Sequence, residues 1–202
     1  MDEPVKTALW REALEWAKTL ILAMLFAWLF TKFVIVNAVV PTGSMEDTVN
    51  IKDRIIASRL SYVFSEPQRY DIIVFEGHDD DKRLFLKRVI GMPGDKLYIQ
   101  GGEVYVEGID GPLRSDFVKG ELDGNYPLPS IRNSHVTVPY DGSPPYITIP
   151  EGHYFVMGDN RTRSSDSRHW GIQDASRTFI SSEQILGKGI FKYYPRIQSL
   201  TK

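Results

Sequence analysis

Cysteine is absent from the 202 residues. Its absence excludes disulfides, cysteine-ligated zinc, iron–sulfur clusters and any thiol nucleophile. Chemistry must therefore use oxygen or nitrogen nucleophiles, or a metal held by histidine and carboxylate. A basic excess is missing too: 24 Lys and Arg stand against 26 Asp and Glu, a formal net charge of -2. That balance argues against an electrostatic nucleic-acid binder. Only four histidines are present, and no internal repeat. Long hydrophobic runs are confined to the N-terminal region, so a polytopic membrane protein does not fit. What is there is ordinary for a folded chain: 42% hydrophobic and 25% charged residues, with length for one compact domain and an appendage.

The apolar run is that appendage. Residues 19–31 carry no charge, and after Lys32 the run resumes over 33–40. Between Lys18 and Lys32 a helix spans about 20 Å. A bilayer core of about 30 Å therefore requires one of these lysines to snorkel. Three readings compete. A cleaved signal peptide would use Lys6, Arg11 and Lys18 as its basic region and Val36-Asn37-Ala38 as its cleavage site. A buried core helix is disfavoured because the segment is apolar on all faces. An uncleaved transmembrane anchor over 19–40, after an N-terminal segment 1–18, is favoured, with Trp10 and Trp16 as interfacial residues and Trp28 deeper. Flanking charge leaves its orientation open, because Lys6, Arg11 and Lys18 on one side face Lys32, Lys52, Arg54 and Arg59 on the other.

After Val40 the chain changes character. Turn residues at 41–44 break any helix, and β-type runs follow at 54–57, 71–75, 84–90, 97–100, 103–107, 146–149, 153–157 and 189–194. Gly101-Gly102 joins two of these runs as a two-residue hairpin. Residues 108–145 form a polar, Gly- and Pro-punctuated insertion. The expected fold is mostly β: one N-terminal transmembrane α-helix, then an antiparallel β-sheet domain over 41–107 and 146–202, carrying a small β insertion.

Candidate chemistry starts at Pro41-Thr42-Gly43-Ser44-Met45. A serine following glycine in a tight turn can present its hydroxyl beside free backbone N–H groups able to stabilise an oxyanion. It needs a base. His78, His135, His153 and His169 have no distinctive catalytic frame, and Asp79 to Asp81 beside His78 form at most a weak cation site. Lys87 is more unusual, because it interrupts an apolar strand. By alternation it shares a face with Phe85 and Val89, while Leu86, Arg88 and Ile90 share the other. An ammonium among such neighbours is desolvated, which favours the neutral amine that can accept a proton. The third cluster runs from Met157 to Gly171. Its Ser164 could hydrogen-bond such an amine, and its Asp166 could pair with Arg168 or Arg88.

These three clusters, in this order after a hydrophobic segment, resemble bacterial type I signal peptidases over roughly 20–110 and 146–195. The resemblance implies Ser44 as nucleophile, Lys87 as general base, and an oxyanion hole from the Ser44 amide and the Thr42 hydroxyl. Many members carry serine at the position of Thr42. Ser164 would orient the lysine, Asp166 and Arg168 (with Arg88) would support it, and Gly158, Asp159 and Asn160 would shape the loop. A lysine rather than a histidine base matches the bacterial or organellar branch.

The resemblance also implies cleavage of exported preproteins after small residues at positions -1 and -3. Val40, Pro41, Met45, Val49, Ile55, Val74, Phe85 and Leu86 would line the two shallow pockets, and the substrate would add as a strand beside 84–87. No cofactor or metal is expected. The expected partners are signal-peptide-bearing preproteins and the lipid bilayer, with export machinery met only by association and no nucleic acid. The N-terminus would be cytoplasmic and the domain on the outer face. Tyr62-Val63-Phe64 would either rest on the membrane or form a plain strand. Self-cleavage after Ala38, six residues before Ser44, is not expected to be efficient. Two rivals are a membrane-anchored, non-catalytic β-domain binding protein and a self-cleaving Ser–Lys protease of the repressor type. The anchor and the lack of a DNA-binding helical module disfavour the second.

Overall fold

The computed structural model describes residues 3–78, 83–120 and 135–201. Helix α1, Glu3–Phe33, contains an apolar stretch at Trp10–Phe33 with a mean hydropathy of 1.6 and none of it buried. Those 24 residues reach about 36 Å, enough to cross a bilayer core. Phe26 is 68% exposed and Leu22 65%. By length and apolar composition the helix is consistent with a membrane anchor.

The helix stops earlier than residue 40. Only Val34 separates it from strand β1, Ile35–Val39, which pairs antiparallel with β2, Arg54–Ser58. The β-branched residues at 34–36 and 39–40 explain the change, since they favour a pleated, half-buried surface. The expected run to residue 40 joined two structures that share only hydrophobicity.

The remaining strands are β3 (Ile72–Glu76), β4 (Leu84–Gly91), β5 (Lys96–Gln100), β6 (Glu103–Val106), β7 (Val136–Thr137), β8 (Tyr146–Thr148), β9 (His153–Met157), β10 (Ile180–Ser181), β11 (Ile185–Tyr194) and β12 (Gln198–Ser199). The larger sheet runs β1-β2-β11-β3-β4-β9-β10, with β12 on β11; the smaller runs β6-β5-β8-β7. All strand pairings are antiparallel. Gly101 and Gly102 both have positive φ, as the tight β5–β6 hairpin demands. The smaller sheet takes β5, β6 and β8 from outside residues 108–145, and among the described residues the insertion adds β7 to it.

Alternation along β3 and β4 divides the core. Ile72 and Val74 pack with Val36, Met45, Val49 and Ile55, while Ile73 and Phe75 pack with Val89, Tyr154 and Val156. A third cluster, including Ile90, Leu97, Ile147 and Phe155, joins the two sheets. The cation reading at Asp79 to Asp81 lies outside the described residues. Tyr62-Val63-Phe64 is no strand: Tyr62 ends the 3-10 turn Leu60–Tyr62 and bonds Asp71 at 2.9 Å, while Phe64 is 86% exposed.

Candidate active site

Ser44 sits in a single 3-10 turn, Gly43–Met45, entered from Thr42 in extended conformation. Lys87 lies midway along β4, opposite Ile73 of β3 and on the same face as Phe85 and Val89. Sequence positions 43 residues apart thus meet, with Lys87 Nζ 2.5 Å from Ser44 Oγ. Lys87 is 3% exposed and Ser44 6%. Burial pushes the lysine down to about 8, with Arg168 pushing the same way and Asp166 and Asp159 partly opposing it. The neutral amine is therefore a minor form, about a tenth, at pH 7 and the major one above about pH 8, at hydrogen-bond distance from a hydroxyl. Among the described residues no histidine hydrogen-bonds Ser44 Oγ; His169 lies 3.8 Å from Asp166.

The loop after β9 supports this pair. Asp166 accepts from the Gly158 N–H at 2.9 Å, from Ser164 Oγ at 2.6 Å and from Arg168 Nε and Nη2, each at 2.8 Å. Asp166 and Arg168 are both fully buried. Burial alone would raise the Asp166 carboxyl; the hydrogen bonds from Arg168, His169 and Ser164 and the Arg168 charge hold it well below the usual carboxylate range. Asp166 also caps helix α2, Ser167–Gln173, a helix not anticipated from the polar run around it. Arg88 takes the other carboxylate, pairing with Asp159 through Nε at 2.8 Å and Nη2 at 2.6 Å. Of the two expected partners for Asp166, Arg168 is the one it meets.

Ser164 meets Asp166, and among the described residues no hydrogen bond joins it to Lys87. Its hydroxyl donates to Asp166, so what it can offer an ammonium is a lone pair. Gly158 makes the packing possible: a Cβ there would lie 2.3 Å from Ser164 Oγ and 2.4 Å from the Ser44 carbonyl oxygen. That carbonyl accepts from the Asn160 N–H at 3.0 Å, tying the serine turn to the loop. Thr48, which no sequence signal marked, adds a bond from Oγ1 to Asp159 Oδ2 at 2.7 Å.

Ser44 and Lys87 open onto a cleft of about 280 Å³. Val40, Pro41, Met45, Ile55, Val74, Phe85 and Leu86 line it, as expected, joined by Thr42, Ala38, Val39, Arg83 and Leu84. Val49 does not; it is fully buried behind the turn, its N–H bonded to the Met45 carbonyl at 2.7 Å. Alternation could not separate a wall residue from one packed a layer deeper. Trp170 of α2 packs on Phe85 with ring centroids 5.7 Å apart and backs the cleft wall. β4 pairs with β3 over 84–88, but β9 joins it only from Arg88 onward. Residues 84–87 therefore keep a strand edge open beside the serine. The Ala38–Val39 bond lies inside the β1–β2 ladder, opposite Ile55 and Arg54, which holds it extended and paired.

Comparison with known proteins places the whole chain. The profile of the family described as signal peptidase, peptidase S26, matches residues 13–194. Signal peptidase I of Bacillus caldolyticus is 35% identical over 169 residues, 81% of this chain and 81% of that protein. A probable signal peptidase I-2 of Synechocystis is 33% identical over 189 residues, covering 90% of this chain and 73% of that protein. A crystal structure of a signal peptidase I from Enterococcus faecalis is 27% identical across 61% of this chain and 97% of that one, with a TM-score of 0.37.

Proposed function

The chain belongs to the signal peptidase family, peptidase S26, and from that premise we propose a mechanism in which Ser44 is the nucleophile and Lys87 the general base. Its activity is that of signal peptidase I, a serine hydrolase that removes signal peptides. Preproteins bearing those peptides are its substrates, which sets aside the non-catalytic binding reading.

The single observation that carries the mechanism is the buried 2.5 Å approach of Lys87 Nζ to Ser44 Oγ. The neutral amine takes the hydroxyl proton as Oγ attacks the scissile carbonyl carbon. The developing oxyanion is met by the Ser44 N–H and the Thr42 hydroxyl, which makes no capping bond of its own. The Lys87 ammonium then protonates the departing amine, leaving the signal peptide esterified to Ser44. Lys87, neutral again, deprotonates the water that hydrolyses this ester.

The apolar cleft walls leave room for Ala-sized groups at -1 and -3, and the open edge of β4 can pair with an extended substrate. In this reading α1 crosses the bilayer with its N-terminus in the cytoplasm and the catalytic domain outside, where Val63 and Phe64 rest on the lipid surface. Processing of a preprotein in detergent tests the nucleophile. Ser44→Ala is expected to lower the rate by about 10³-fold or more while the protein remains folded. Wild-type processing by that variant would remove Ser44 from the chemistry.

A further inference from the structure

The turn holding Ser44 is too slight to fix its own position. A one-turn 3-10 helix has poor hydrogen-bond geometry, and here one bond, Glu46 N–H to the Gly43 carbonyl at 3.2 Å, closes it. Asp47, just beyond, is held at φ 77, a left-handed conformation uncommon outside glycine. Something outside the turn must hold it. Asn160 does part of this, through its N–H to the Ser44 carbonyl and its Nδ2 to Glu46 Oε2 at 3.1 Å.

Thr48, through its bond to Asp159, adds to this, and a further hold comes from residues 117–120, well away in sequence. The Lys119 N–H donates to the Asp159 carbonyl at 2.8 Å, and the Lys119 carbonyl accepts from Arg161 at 2.9 Å, zipping this strap alongside Asn160. The Lys119 side chain then turns to the serine side, with Nζ 3.1 Å from Asp47 Oδ1 and 3.6 Å from Glu46 Oε2. Two residues earlier, Phe117 lies under the Arg88 guanidinium at 4.1 Å, covering the ion pair that orients Asp159. One short strap therefore touches both partners of the catalytic turn.

We propose that Lys119 is a positioning residue for Ser44: it clamps the Glu46–Asp47 end of the nucleophile turn onto the Asp159–Arg161 loop, and so gives the insertion a part in catalysis. This rests on Ser44 being the nucleophile. An exposed ion pair adds little to stability, whereas a small displacement of a nucleophile lowers the rate steeply. The effect belongs in kcat, with binding and folding nearly untouched.

The test uses Lys119→Met and Lys119→Arg in the full chain, assayed on a signal-peptide-derived peptide in detergent. Lys119→Met is expected to lower kcat by about 5- to 10-fold with KM within about twofold and an unchanged melting temperature. Lys119→Arg, which keeps a cation in reach of both carboxylates, is expected to restore most of kcat. A wild-type kcat in Lys119→Met overturns the proposal. So does an equal loss in both variants, or a loss that tracks a lowered melting temperature. Ser44→Ala measured alongside separates the two levels: its inactivity beside a fully active Lys119→Met removes only the clamp, while its activity would strike the mechanism beneath.

Discussion

Lys87→Met is expected to abolish processing and, at the same time, to make the folded protein more stable at pH 7. Both effects come from one physical cause. The lysine is buried, with its pKa lowered from 10.5 to about 8, burial being the largest reason. Below about pH 8 the folded state carries a buried ammonium that the unfolded chain would rather hydrate. Above about 10.5 both states are neutral and the penalty is gone. A group shifted downward in this way destabilises the fold at pH 7 by about 3 kcal/mol, and the penalty fades as pH rises between those limits. Methionine has a similar shape, no charge and no proton-accepting nitrogen. Its processing rate is expected to fall by about 10³-fold or more. Its stability in urea is expected to exceed wild type at pH 7 and to converge with it above pH 10. A variant less stable than wild type at pH 7, with a flat difference across pH, would show that the ammonium is not penalised by its site.

Asp166→Asn has the opposite expected effect. It leaves Arg168, which is fully buried, facing a neutral amide where a bidentate carboxylate stood. Breaking a buried ion pair by removing one partner costs about 3–5 kcal/mol, because an uncompensated charge remains. The same carboxylate receives the Gly158 N–H and the Ser164 hydroxyl and caps α2, so its loss reaches those contacts as well. For a chain of this size the melting temperature is expected to drop by about 10 °C. The folded fraction should also change in its pH response. Asp166 raises the Lys87 pKa and Arg168 lowers it, so removing the carboxylate moves the active pH range downward. A melting temperature within 2 °C of wild type, read by circular dichroism, would show that the Asp166–Arg168 pair does not hold the loop.

Much of this fold and site is legible in the amino-acid order, and the reasons are local. β4 stands out because seven consecutive residues at 84–90 favour a strand, and alternation correctly puts Lys87 with Phe85 and Val89. Charge alone leaves Arg168 and Arg88 both open as partners of Asp166, the family resemblance implies Arg168, and the short helix that sets Arg168 against Asp166 is not visible in the polar run. Three things are not legible. Residues 35–39 resemble their neighbours in hydrophobicity, and only pairing with β2 makes them a strand. The choice of Arg88 for Asp159 is settled by how β4 and β9 lie together, with Arg88 opposite Met157. Lys119 carries no sequence mark at all, because its role exists only through contacts across 72 positions to Asp47. Periodicity reports on faces of single elements, and it is silent about which loops meet.

The central claim, a neutral Lys87 accepting the Ser44 proton, is tested most directly by the pH dependence of kcat/KM on a short signal-peptide substrate. The free enzyme's essential base should give a rising limb with an apparent pKa near 8. Activity should be lost as pH falls through that value and the lysine becomes charged. A limb near 6.5, the ordinary range of histidine, or one near 10.5, where an unburied lysine titrates, would contradict it.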